Sequence, residues 1–356
     1  MTTMAARDTP SATIPVREAH VLDVARLEGW LAGQLQDVRP LTIQQFSGGQ
    51  SNPTYLLSTP GGRYVLRRKP PGTLLPSAHA VDREFRILKA LAGTDVPVPR
   101  ALCYCDDVSV AGTPFYLMEY VEGRIFWNPA LPGVSPSERA AIYEEMNRVI
   151  AAIHAVDPDA AGLADFGRRE NYVARQIERW SKQYRASELE HIDSMEQLIE
   201  WLPRHMPPEE PVRITHGDFR IDNLIFDRSE PRILAVIDWE LATLGNPFSD
   251  FAYHCMTYRM PEALRKGLAG LDLAQLGIPS ETQYIRRYLD RTGRTAVPAS
   301  TFDFYIAFNL FRLASILQGV AARARLGNAS SEHATEAGSL TRPIADLGWA
   351  QARGAH

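Results

Sequence analysis

Two short apolar runs, each delivering a carboxylate, interrupt a part of the chain that otherwise reads as helix. The first region is Ile214-Thr-His-Gly-Asp-Phe-Arg-Ile-Asp-Asn-Leu-Ile-Phe226; the second is Ile233-Leu-Ala-Val-Ile-Asp-Trp239. β-Branched and apolar residues bounded by turn formers predict strands. Asp218 and Asp238 are therefore set into loops at strand ends. A β island inside helical sequence excludes a plain helix bundle, and nothing around it repeats as βα units. With a strand-rich block upstream, the order points to an α+β class with segregated strands and helices.

The upstream block follows from its periodicity. Residues 20–36 carry Val21, Val24, Leu27, Leu31 and Leu35 at helical spacing. Leu41–Phe46, Thr54–Ser58 and Tyr64–Arg67 predict an antiparallel meander, with Pro60-Gly-Gly62 as a turn. A helix follows from about Ala80 to Ala92, then strands over Ala101–Cys105 and Phe115–Val121. From residue 136 the pattern is mainly helical: Ser137–His154, Val173–Arg185, Ser194–Leu202, Glu281–Asp290, Phe302–Leu326 and a last helix over Leu340–Leu347. This predicts a flexible tail over 1–19, a β-rich N-lobe over 20–121 and a mainly helical C-lobe over 122–356.

A length of 356 residues is long for one core and comfortable for two lobes. A net charge of −4 argues against broad nucleic-acid binding, which needs a basic face. Lysine occurs only at 69, 89, 182 and 266, so a site that needs lysine has four candidates. Cys103, Cys105 and Cys255 make neither a disulfide framework nor a zinc site. No apolar run is read as reaching the roughly 18 residues of a membrane span, and Met1–Pro15 lacks the apolar centre of a signal peptide. A cytoplasmic protein with neither a membrane nor a nucleic-acid partner is expected.

Phosphoryl transfer needs the set of groups that the island supplies. One carboxylate accepts the proton of an attacking hydroxyl, while an amide oxygen and a second carboxylate hold Mg²⁺ against phosphates. Asp218 stands five residues before Asn223, the spacing of H-R-D-x-x-x-x-N in protein kinases, and Asp238 follows a hairpin. Any one of these residues alone would be ordinary turn chemistry. Together they are not.

The segment resembles the aminoglycoside phosphotransferase/choline kinase superfamily, with its His-Gly-Asp-x-x-x-x-Asn and following Ile-Asp-Trp. The likeness runs from about 40 to 325. It implies a bilobal protein-kinase-like fold, with nucleotide bound by the N-lobe and the catalytic loop, metal site and acceptor pocket in the C-lobe. It also implies ATP and Mg²⁺ as cofactors, Asp218 as catalytic base, and Asn223 and Asp238 as metal ligands. His216 and Asp250 are read as bracing the catalytic loop.

The nucleotide side is sought upstream. Ser47-Gly48-Gly49-Gln50-Ser51-Asn52 lies between two strands, where glycines let backbone approach phosphate and Ser and Asn can donate to it. Tyr64-Val-Leu-Arg67 stands where kinases place Val-Ala-Ile-Lys, so the expected lysine is an arginine. Arg67 and Lys69 share a face; Pro70 and Pro71 end the strand and favour Arg67. Glu84, on the next helix, is the expected partner of that cation. The backbone at Glu119 and Val121 is the expected adenine contact.

Closer similarity is to the kinase-like domain of acyl-CoA dehydrogenase family members 10 and 11. Arg67-Arg-Lys-Pro-Pro-Gly72 and Asp82-Arg-Glu-Phe85 carry it along with the island. It implies a small-molecule acceptor: a hydroxyl on a hydroxyacyl group or its coenzyme A thioester. Arg220, Trp239, Glu240, Tyr258 and Arg259 are the acceptor-side candidates. Two alternatives are an aminoglycoside or amino-alcohol kinase, and a nucleotide-binding pseudokinase scaffold, for which the arginine at 67 is the supporting feature.

Overall fold

The computed structural model describes residues 13–47, 52–71, 79–264, 266–294, 296–325 and 338–354. The chain divides into two compact units, one of residues 1–127, 159–164 and 220–242, the other of 128–158, 165–219 and 243–356. The first unit thus takes in 220–242, which a cut at 121/122 in sequence order places with the helices.

The first unit is built on a six-stranded antiparallel sheet. Its elements are β1 (Thr13–Ile14), α1 (Val24–Leu31), β2 (Thr42–Phe46), β3 (Thr54–Thr59), β4 (Gly62–Arg68), α2 (Val81–Leu91), β5 (Ala101–Cys105), α3 (Val108–Ala111) and β6 (Phe115–Glu119). The sheet order is β1-β2-β3-β4-β6-β5. Tyr55, Leu57, Leu66, Phe115 and Leu117 pack one sheet face against Leu27 and Leu31 of α1 and Val110 of α3. Residues 13 and 14, expected in a tail, pair with Phe46 and Gln45.

The helix expected over 20–36 is shorter. It starts after Asp23, whose carboxylate caps Arg26 N, and leaves Val21 and Val24 exposed. Leu35, in the turn beyond, still packs on the core, so the apolar period outruns the helix.

The second unit holds α4 (Pro136–Ala155), α5 (Tyr172–Ala186), α6 (Asp193–Trp201) and β7 (Arg213–Thr215). The hairpin β8 (Leu224–Phe226) and β9 (Ile233–Val236) belongs to the first unit. The second unit continues with β10 (Thr243–Gly245), α7 (Pro247–Arg259), α8 (Leu273–Leu276), α9 (Glu281–Arg291), α10 (Ala299–Arg325) and α11 (Thr341–Ala352). α10 packs against α5, α6, α7 and α11. Phe251 of α7 stacks on Tyr288 of α9, ring centroids 3.8 Å apart.

The periodicity reading passes over α7. Eleven of its 13 residues are buried, so it has no polar face to alternate with an apolar one. α10 overturns the statement about apolar runs: it is long and apolar enough to cross a membrane by length and composition, and 83% of that window is buried inside the fold.

Burial on α7 has a titration consequence. His254 packs against the Phe219 and Tyr284 rings, with Nε2 2.7 Å from the Tyr284 hydroxyl. Desolvation drives its imidazole down to about 4. An unfolded histidine titrates near 6.5. Between these values the unfolded chain takes up a proton that the fold refuses. Stability is therefore full above about pH 6.5 and falls as pH drops to about 4, by roughly 3 kcal/mol. In urea unfolding at pH 7 and 4.5, His254→Gln is expected to lose less stability between the two pH values than the parent chain. An unchanged difference would show that His254 does not carry the slope.

Candidate active site

In the first unit, β4 is paired to β3 on one side and β6 on the other, so its backbone is fixed. Alternation sends Leu66 and Arg68 to the buried face and Val65 and Arg67 to the opposite one. Arg68 is structural: it donates to Ala111 O at 2.8 Å and lies over the Tyr55 ring. Arg67 Nε lies 2.9 Å from Glu84 Oε2, and its Nη2 lies 3.0 Å from Asp238 Oδ1. Nε is off line for a hydrogen bond; the hydrogen bond between the two side chains runs from Nη2 to Glu84 Oε1 at 3.4 Å. Lys69 lies past the end of β4 and is held through its backbone, N to Pro114 O and O from Thr113 Oγ1. Of the two cations on this face, it is Arg67 that joins the acidic groups.

Glu84 is 1% exposed. Asn52 Nδ2 donates to its Oε1 at 2.7 Å and Tyr116 Oη to its Oε2 at 2.9 Å. Tyr116 sits directly across the ladder from Arg67, which places both side chains on one face. Burial lowers the affinity of Arg67 for its proton, but the charges of Glu84 and Asp238 outweigh it, and the guanidinium is held well above its ordinary value. Burial holds the Glu84 carboxyl above its ordinary value, with Arg67 pulling against it.

Asn52 was expected to donate to phosphate. It is instead buried, with its Oδ1 3.1 Å from His79 Nδ1 and its amide nitrogen committed to Glu84. Ser47 is an exposed bend residue after β2, and Gly48, Gly49, Gln50 and Ser51 lie outside the described residues.

Glu119 at the end of β6 and Val121 just beyond it line a cleft together with Phe46, Val65, Arg67, Met118, Trp127, Asp222, Asn223, Ile225, Ile237 and Asp238. Gly123 lets this segment approach β8: a Cβ there would lie 2.2 Å from Phe226 O. Arg124 and Phe226 then exchange backbone hydrogen bonds of 2.7 and 2.8 Å.

Asn223 ends a 3₁₀ turn before β8, and its carbonyl accepts from Ile237 N at 3.0 Å. Asp238 comes next in the left-handed region, φ 66° and ψ 59°, a conformation uncommon outside glycine. An amide oxygen and a carboxylate in one cleft are hard oxygen donors of the kind that Mg²⁺ takes. The donor set fits that ion.

In the second unit, β7 pairs with β10 and leads into His216-Gly217-Asp218. Gly217 has φ +81°. Asp250, in the first turn of α7, accepts from His216 N and Gly217 N, both at 2.8 Å, and lies 3.2 Å from His154 Nε2. Burial pushes its carboxyl up, but the His154 hydrogen bond, the His154 and His216 charges and the backbone donor outweigh it, leaving it below its ordinary value. His216, fully buried, accepts from Asp218 N through Nδ1 at 3.2 Å.

Two partners of this loop lay outside the expected site residues. Tyr253 donates to Asp218 Oδ1. Arg312 donates to Gly217 O at 2.8 Å and lies over the Tyr253 ring. An arginine within an otherwise apolar helix was the available signal for Arg312. For Tyr253 the signal was its aromatic-rich segment, Tyr253–Arg259, which reads as acceptor-side and not as support for the loop.

The acceptor candidates fare differently. Arg220 forks onto Asp222. Trp239 is 3% exposed and ties its Nε1 to Val236 O, so it is core. Glu240 is exposed, 3.9 Å from Arg67. Tyr258 is buried against Tyr143 and Tyr284. Arg259 pairs with Glu281 and Asp303 and donates to Gln351. Trp239, Tyr258 and Arg259 thus belong to packing and ion-pair networks, as aromatic residues and long cations in a helical core commonly do.

The sequence profile of the family described as "Phosphotransferase enzyme family", APH, matches residues 42–288. The mouse protein named acyl-CoA dehydrogenase family member 10 is 48% identical over 341 residues, covering 95% of this chain and 32% of that protein. The chain thus spans about a third of that relative's length. A Ralstonia eutropha crystal structure, provisionally named an aminoglycoside phosphotransferase, is 50% identical with a TM-score of 0.85, covering 94% of this chain and all of that one. An aminoglycoside phosphotransferase crystallised with AMP-PNP and hygromycin B is 18% identical with a TM-score of 0.62, covering 92% and 99%. That likeness is one of fold.

Proposed function

The chain belongs to the APH phosphotransferase enzyme family, and on that premise we propose that it is an ATP- and Mg²⁺-dependent O-phosphotransferase acting on a small-molecule hydroxyl in the cytoplasm. The observation that carries this reading is one cleft that holds Arg67, Asn223 and Asp238 beside an apolar wall of Val65, Met118, Ile225 and Ile237. Such a wall suits a nucleobase, and the polar group suits phosphates with their metal.

In this reading Asn223 and Asp238 would hold Mg²⁺, which would supply charge neutralisation at the phosphates. Asp218 accepts the proton of the acceptor hydroxyl. Tyr253 fixes one oxygen of that carboxylate, and Asp250 and Arg312 hold the peptide groups before it. Arg67, kept by Glu84, faces the phosphates. Because the sequence keeps all three of Asp218, Asn223 and Asp238, a pseudokinase scaffold is the weaker account.

For the acceptor we favour a hydroxyl on a hydroxyacyl group or its coenzyme A thioester. The support is that the mouse relative, named for acyl-CoA dehydrogenation, contains a stretch 48% identical to this chain. The name of the Ralstonia protein favours a second acceptor class, aminoglycosides. ADP formation measured against hydroxyacyl-CoAs, free hydroxy acids, choline and aminoglycosides separates them. Turnover with the acyl acceptors at least about a hundredfold above the cationic ones is expected. Selective turnover of an aminoglycoside or choline would reverse the assignment.

A further inference from the structure

We propose that Arg67 is a tethered counterion of Asp238 that must yield when a divalent cation binds, so that the arginine sets the metal affinity of the cleft. This rests on the reading of Asp238 as a metal ligand. The guanidinium bridges two carboxylates of unequal standing. Glu84 is 1% exposed and held by Asn52 and Tyr116, so it cannot follow a movement of its partner. Asp238 is one-third exposed, and its 3.0 Å contact uses the terminal nitrogen Nη2, which also donates to Glu84 Oε1 at a longer 3.4 Å. Because β4 is laddered on both sides, only the Arg67 side chain can move. The Asp238 contact is the one that it can surrender.

The choice of arginine is what creates this competition. A guanidinium presents a fork that reaches two carboxylates at once, whereas an ammonium is a compact point charge on a flexible stem. A lysine at 67 keeps the unit charge and can satisfy Glu84, but it loses the second arm of the fork. Glu240 Oε2, 3.9 Å from Nη2, offers the displaced arm a place to rest. Cation arrival at Asp238 then frees that arm toward phosphate, which couples metal and nucleotide binding through one side chain.

The test is Mn²⁺ binding to the nucleotide-free full chain, read by loss of the free-ion electron paramagnetic resonance signal, with thermal melts to verify folding. Arg67→Lys is expected to tighten Mn²⁺ about tenfold. Because it keeps the charge, a purely long-range field effect predicts no change. Arg67→Met combined with Glu84→Gln removes the buried pair together, a replacement that folds tolerate better than the loss of one partner. It is expected to tighten Mn²⁺ at least as much. Unchanged or weaker binding in both folded variants overturns the proposal. Asp238→Asn is expected to abolish binding. If instead it binds as the parent does, the metal-ligand reading itself fails, and the inference fails with it.

Discussion

Asp218→Asn will keep nucleotide binding and lose turnover by about three orders of magnitude, within the 10²–10⁴ range of a positioned general base. Asparagine preserves the shape of the side chain. Its carbonyl oxygen can still accept from Tyr253, as Oδ1 does now, but it cannot take a proton from a hydroxyl. The cleft proposed for the nucleotide is lined by other residues, so affinity for a non-hydrolysable ATP analogue in calorimetry should shift by less than about threefold. Turnover is read as ADP formation with a saturating acceptor. Retention of most of the rate would remove Asp218 from the role of base while leaving family membership untouched.

Asp250→Ala will be the most destabilising single change in the loop region, by about 3–5 kcal/mol. Its carboxylate is 5% exposed and gathers two backbone N–H groups and the His154 imidazole. Alanine leaves these donors buried without an acceptor, the costly case for a polar group. The same carboxylate gives a second signature. Its folded value lies below the ordinary 3.8. The stability that it contributes is therefore complete above about pH 3.8 and is lost as pH falls through the lower folded value. Urea unfolding of the variant at pH 7 reads the first effect. Comparing parent and variant at pH 5 and 3 reads the second, with the gap narrowing at acid pH. A parent-like midpoint at pH 7 would contradict the account.

The strand–loop setting of Asp218, Asn223 and Asp238 was legible because it is written in nearby stretches of sequence. The three stand at fixed spacing, and the flanking strands show in their β-branched character. Strands of the sheet were legible for the same reason, since a two-residue period survives in short segments. What escaped depends on neighbours distant in sequence. α7 is buried all round, so the alternation that marks a surface helix is absent, and Tyr253 and His254 were lost with it as positioned groups.

Asn52 reads as a loop donor from its glycine-rich surroundings. Only the packing of α2 on the sheet shows that its amide serves Glu84. Tyr258 and Arg259 look like acceptor groups because aromatic and cationic residues beside a catalytic segment invite that reading. The partners that absorb them, Tyr284, Glu281, Asp303 and Gln351, lie 22 to 92 residues downstream, beyond the reach of any local pattern.

Arginine at position 67 also decides how such a protein is seen by reagents. A nucleotide analogue carrying an acyl phosphate would transfer its acyl group to a lysine amine beside the phosphates. A guanidinium so firmly protonated offers no lone pair for that attack, and among the described residues the cleft is lined by no lysine. On the proposed function, a chain of this design would bind its nucleotide and still leave no adduct. An inventory made by amine capture would count it as missing, when it is merely silent to the label.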